Sequence, residues 1–222
     1  MGFAKDELNN IPTEIKKNIA RTGGKKINVN LVDFEYYNSE AVGIQQQLIA
    51  TEQMIIDGIF TLFDPLVIKK GYVNGGLEIE YDIYVQFSWS NTPEFAWVDT
   101  LALAWQNIVV PYGDATGKIT RYPANDPLHP QERILIAHEE IEGDYWEVDV
   151  FTGGDGDTQR GYGLQTVRVN KYYEGFTGVL ETAYAHMFIP SFVVPEISYG
   201  NITFDLSSLF GEEWNIRYNF TY

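Results

Sequence analysis

The chain has 222 residues, 45% of them apolar and 15% aromatic, with 20 glycines, 9 prolines and no cysteine. A chain of this size buries about 70% of its unfolded surface, which supports one large core and excludes disorder as a whole-chain description. Without cysteine there is no disulfide, thiolate metal site or cysteine nucleophile, and a net charge of −16 excludes a body that grips nucleic acid, because it repels phosphates.

The charge is unevenly spread. Residues 1–26 hold Lys5, Lys16, Lys17, Arg21, Lys25 and Lys26 against Asp6, Glu7 and Glu14, so the N-terminal end is basic and the remainder more acidic than the total. Met1 to Asn10 has charges and no apolar run, so no signal peptide is expected, and synthesis is placed in the cytoplasm. Leu48 to Leu66 is interrupted by Glu52, Asp57 and Asp64, short of the roughly 20 apolar residues that a bilayer-spanning helix needs.

Pro12 to Arg21 reads as a short helix, with Pro12 in the first turn and Gly23-Gly24 at the stop. Ile11, Ile15 and Ile19 form one stripe, with Lys16, Lys17 and Arg21 off it. So short an amphipathic helix is marginal alone and has to dock, either on its own domain or as an assembly arm on a neighbouring subunit or an anionic surface. The chain divides into this basic arm, residues 1–25, and a single domain, residues 26–222.

From Lys26 the period changes to two. Ile27, Val29 and Leu31 share one phase and Val32, Phe34 and Tyr36 the other, which places a bulge or break at Leu31/Val32. Ser39 to Phe63 fits helix or strand. The alternation from Leu77 to Trp89 after Asn74-Gly75-Gly76 reads as the second arm of a hairpin, one face buried and one wet. Thr92-Pro93-Glu94 opens a helix pattern through Phe95, Val98, Ala102, Trp105 and Val109, although Leu101 to Val110 also reads as a buried strand.

A second hairpin is expected around Glu142-Gly143-Asp144, and a glycine-rich loop over Gly153 to Gly163. Strands follow at Gln165 to Tyr173, Gly178 to Phe188, Glu196 to Leu206 and Trp214 to Tyr222. Roughly nine or ten strands with frequent turns and one or two short helices beyond the arm define an all-β class, an antiparallel β-sandwich or jelly roll.

Few residue sets carry chemistry. His129, His138 and His186 form no ligand pair, and no nucleophile elbow, P-loop or dinucleotide motif is present. Asp155 and Asp157 are the candidates for a calcium site, although the loop lacks the remaining oxygen ligands of an EF-hand. No other cofactor is expected. Glu78, Glu80 and Asp82 line one strand about 7 Å apart, as do Glu147 and Asp149. Tyr36-Tyr37, Tyr172-Tyr173, Tyr184 and the Tyr218/Phe220/Tyr222 ladder are candidates for exposed aromatic contacts.

Two resemblances bear on function. Trp146-Glu147-Val148-Asp149-Val150-Phe151 resembles the start of the catalytic strand of jelly-roll endo-glucanases. That implies glycan cleavage or binding through Glu147 and Asp149, but Thr152 stands where the family has its second catalytic glutamate. In layout, though in no motif, a basic helical arm over Pro12 to Arg21 ahead of an acidic antiparallel body resembles single jelly-roll viral capsid proteins. This implies many-copy shells, no enzymatic activity, and an arm (Ile11, Ile15, Lys16, Lys17, Ile19, Arg21) that bridges neighbours. The expectation is a structural, self-assembling virion component, capsid or tail/connector, whose partners are its own copies and other particle proteins. Membrane or nucleic-acid contact is confined to the arm; the glycan-handling sandwich is the alternative.

Overall fold

The computed structural model describes residues 2–3, 8, 11–38, 53–56, 60–93, 97–190, 192–205 and 211–222. After helix α1 (Thr13–Thr22) come β1 (Lys25–Ile27), β2 (Val29–Asn38), β3 (Gln53–Ile56), β4 (Phe60–Val73) and β5 (Glu78–Trp89). Next are β6 (Val98–Trp105), β7 (Val109–Pro111), β8 (Thr116–Tyr122), β9 (Gln131–Ile134), β10 (Ile136–Glu139) and β11 (Gly143–Asp149). The chain closes with β12 (Thr158–Asn170), β13 (Thr177–Met187), β14 (Glu196–Ser198), β15 (Asn201–Thr203) and β16 (Gly211–Thr221).

Two antiparallel sheets pack as a sandwich. The first runs β1-β4-β5-β12-β8-β9, with β3 also on β4 and β7 also on β12; the second runs β10-β11-β6-β13-β16-β2. Between the sheets lie Trp89, Trp105, Trp146, Trp214, Phe60 and Tyr184, all at most 2% exposed. The Phe60 ring centroid is 4.5 Å from that of Trp214 and 4.6 Å from those of Trp89 and Tyr184. Such a ring cluster adds contact energy beyond its buried area.

The helix forms one residue later than expected, with Pro12 as its N-cap and Gly23, at φ 75°, ending it. Ile11, Ile15 and Ile19 pack against Leu66, Ile68 and Tyr84 of the first sheet, each isoleucine worth about 2 kcal/mol of burial. Asn18 donates to the Tyr84 hydroxyl at 2.7 Å, and Lys118 holds Glu14 at 2.7 Å. The arm therefore docks on its own domain.

That docking corrects the wet face expected for β5. Tyr84 lies beneath α1, and Asp82 is buried in contact with Lys70 and Thr166. Glu78 and Glu80 face Arg168 instead of open solvent. The hairpin itself forms as read, with Asn74, Gly75 and Gly76 at φ 51°, 67° and 89°. The bulge also falls where the phase flips: Arg217 pairs with Asp33 and Tyr218 with Leu31, leaving Val32 as the extra residue.

The helix pattern after Thr92 is overturned, since Val98–Trp105 is strand β6. Its apolar run serves both faces: Leu101, Leu103 and Trp105 enter the core while Ala102 and Ala104 lie under the β14–β15 hairpin. Gly161 and Gly163, expected in a loop, belong to β12. A Cβ at Gly161 would stand 2.3 Å from the Phe87 ring, and one at Gly163 2.7 Å from the Trp146 ring. Part of the ambiguous Ser39 to Phe63 stretch is strand, in β3 and β4, and residues 39–52 and 57–59 lie outside the described residues. After α1 the described residues contain only two 3-10 turns, so the further short helices expected beyond the arm are not found among them. No helix among them is long and apolar enough to cross a membrane.

Candidate functional site

On the outer face of the second sheet, alternation along β16 turns Glu213, Asn215 and Arg217 outward while Trp214, Ile216 and Tyr218 enter the core. Register sets Asp33 and Glu181 on either side of Arg217, and Glu35 beside Asn215. Asn201, Ile202, Thr203 and Phe204 wall the resulting cleft of about 170 Å³. Alanines 102, 104, 183 and 185 on this face leave the room in which Ile197, Ile202 and Val193 settle.

The cleft holds one cation against several acids. Arg217 donates through Nε to Glu181 at 2.9 Å and through Nη2 to Asn201 at 2.7 Å, and the Ile202 N–H donates to Glu181 at 3.0 Å. Burial still raises the Glu181 carboxyl above its usual range, with those donors opposing. Burial pushes Glu213 up to about 7, against a hydrogen bond from Asn215 and helped by the Glu35 and Glu181 charges. A carboxyl titrating near neutrality can exchange protons with a small solute. None of these residues was singled out in the sequence, because the cleft depends on a pairing between chain ends.

A second network lies at the inner end of β13. Asp99, fully buried, accepts from Tyr184 at 2.7 Å and pairs with His186 Nδ1 at 2.9 Å. Burial disfavours the imidazolium, but the Asp99 charge outweighs this and holds the His186 pKa above its ordinary value. The Trp89 indole donates to the Tyr184 hydroxyl at 3.3 Å. The arrangement satisfies buried polar groups and ties the two sheets together.

The residues expected to act are scattered. Glu147 meets His138 Nε2 at 2.7 Å, and Asp149, 64% exposed, meets Arg133 at 2.8 Å. His138 also stacks on Tyr145 at 4.5 Å, and it sits in β10 near the end of that strand. Asp157 is held by Arg121 and by the N–H groups of Ala124 and Gly154, so its oxygens are engaged, while Asp155 is exposed. Among the described residues no three His, Asp or Glu side chains gather to hold a metal. Lys17 and Arg21 point to solvent and Lys16 is half-buried. Tyr184, Tyr218, Phe220 and Tyr222 are buried, contrary to expectation, and Tyr172 is 75% exposed.

One further surface stands out. Residues 131–139 supply the outermost strands of both sheets, β9 pairing only with β8 and β10 only with β11 among the described residues. Leu135 turns into the core at the crossing, and Ile134 and Ile136 on either side are 76% and 59% exposed. Leu128 and Ile141, 85% and 83% exposed, flank this edge along the chain.

Compared with known proteins, the chain matches no protein-family model and no curated relative. The class defined by the fold is an all-β antiparallel sandwich.

Proposed function

We propose that this chain is a structural subunit that assembles with copies of itself through the β9–β10 edge, as part of a virion shell, tail or comparable particle. One observation carries the reading: among the described residues a single run forms the outermost strands of both sheets and presents exposed isoleucines there. Among the described residues the outer N–H and C=O groups of these strands have no strand partner, and although Glu132, Arg133, His138 and Glu139 put charge on the edge, Ile134 and Ile136 stand exposed between them. The chain crosses between the two sheets at β1–β2, β2–β3, β5–β6, β6–β7, β9–β10, β11–β12 and β12–β13, a winding in keeping with the jelly rolls from which shells are built. Unlike the expected arm contact, this surface asks nothing of α1, whose isoleucines are already filled by the chain's own sheet.

Size-exclusion chromatography with light scattering tests the reading. The full chain is expected to form oligomers that become monomeric in the double variant Ile134→Lys/Ile136→Lys and persist in Lys16→Glu/Lys17→Glu. A monomeric full chain at high concentration, or oligomers that survive the edge variant, would overturn it.

A second reading, glycan binding, is favoured by the exposed Tyr172 and Phe176 rings, 6.0 Å apart beside Lys171 and Glu174. It is tested by glycan binding that Tyr172→Ala abolishes and Glu147→Gln spares.

A further inference from the structure

We infer that a basic ridge, running from α1 along β1 to the Tyr72 and Tyr172 rings, binds single-stranded nucleic acid without regard to sequence. The ridge starts on the side of α1 opposite the isoleucine stripe that the first sheet covers. There Lys17 and Arg21 lie about one helical turn apart and are exposed, as is Lys25 just beyond the Gly23-Gly24 stop. Antiparallel pairing sets Lys25 against Lys69 of β4. The Lys69 and Lys171 ammoniums stand 5.3 Å and 4.7 Å from the centre of the Tyr72 ring. Tyr172, next in the chain, is 75% exposed. Charge thus leads directly into aromatic surface.

A chain with a net charge of −16 repels phosphates as a whole, but the acids beside these lysines are already engaged. Glu174 accepts from Lys69 at 2.8 Å and from the Tyr72 hydroxyl at 2.6 Å, and Asp82 pairs with Lys70 at 3.0 Å. Lys17, Arg21 and Lys25 form no such ion pair among the described residues. Salt of about 0.1 M screens charges more than roughly 10 Å apart, so a phosphate on the ridge feels these bases and little of the distant carboxylates. A membrane surface is held by inserted apolar side chains as well as by charge, and the isoleucines of α1 already pack on Leu66, Ile68 and Tyr84. A single strand needs only spaced cations for its phosphates and an exposed ring on which unpaired bases stack. A duplex keeps its bases stacked on one another and gains nothing from Tyr172. Phosphate contacts and stacking both ignore base identity.

Fluorescence anisotropy of a labelled oligothymidylate of about fifteen nucleotides tests the ridge on the full chain. Binding is expected at about 0.1 M salt, and a threefold rise in salt should weaken it about twentyfold, the response of roughly four neutralised phosphates. Lys17→Glu/Lys25→Glu should weaken it by about tenfold or more, and Tyr172→Ala by about tenfold. All three positions are exposed, so the fold should stay intact. Arg160→Glu should change nothing, since this exposed base lies about 20 Å along β12 from the Thr166 that holds Asp82. An oligonucleotide that stays unbound, that binds as well after Lys17→Glu/Lys25→Glu, or that binds no better than its duplex overturns the inference. An equal loss in Arg160→Glu, the mark of diffuse attraction, does the same. So does binding to vesicles of phosphatidylcholine and phosphatidylserine with none to the oligonucleotide, which would make the ridge a membrane contact. Neither β9 nor β10 lends a residue to the ridge, so each outcome leaves assembly through that edge untouched.

Discussion

At the scale of single residues, glycine does the least visible and most specific work. Gly161 and Gly163 sit in β12 under aromatic rings, and the ring atoms occupy the space where a Cβ would be. Gly163→Ala is therefore expected to lower stability by about 3 kcal/mol, because the Trp146 ring must leave its rotamer in a filled core. Gly154→Ala, which meets nothing within 4 Å, should change little. Chemical denaturation of both variants checks the contrast, and equal losses would show that backbone freedom, not ring space, is what Gly163 supplies. The sequence invites the opposite reading, since GGDGDTQRGYG looks like one mobile loop. Its first half is a loop and its second half is core, and only the cross-strand position of Trp146 and Phe87 tells them apart. Asp144 was hidden for the same reason, as a carboxylate in a Glu-rich turn looks solvated until the register turns it inward.

At the scale of elements, periodicity reported strands and breaks well and burial poorly. The flip at Leu31/Val32 located the bulge opposite Arg217 and Tyr218, because a side-chain period of two cannot change phase without an extra residue. The same rule failed for β6, whose two faces are both covered, so alternation vanished and helical spacing appeared by coincidence. It also failed to foresee that α1 covers β5. The arm's stripe was legible, but its partner was not, since Leu66, Ile68 and Tyr84 lie far away in sequence. Replacing Ile15 by Ala removes about 3 kcal/mol of packing and should release the helix while leaving the sandwich folded. Limited trypsin digestion would then cut at Lys16, Lys17 and Arg21 much faster than in the unaltered chain. Cutting at an unchanged rate would mean that the contacts of Asn18 and Glu14 hold α1 without its isoleucine stripe.

At the scale of the whole molecule, the titrating groups act together. Asp144 at about 8, Glu213 at about 7, and Glu181 and His186, both raised, bind protons more tightly folded than unfolded. Their contribution is complete below their unfolded pKa values and fades as pH rises through the folded ones, at up to about 1.4 kcal/mol per pH unit for each group. Asp157 and Glu174, held low by hydrogen bonds and by Arg121 and Lys69, work in the other direction, but only as pH falls below the ordinary carboxylate range. Self-repulsion at a net charge of −16 also eases as acids are neutralised. Stability should therefore peak near about pH 5 and decline towards pH 8. Thermal unfolding of dilute protein at the two values measures this, and the decline should be shallower in Asp144→Asn, whose amide cannot ionise. A melting temperature that rises from pH 5 to pH 8 would mean that these carboxyls reach water in the folded chain.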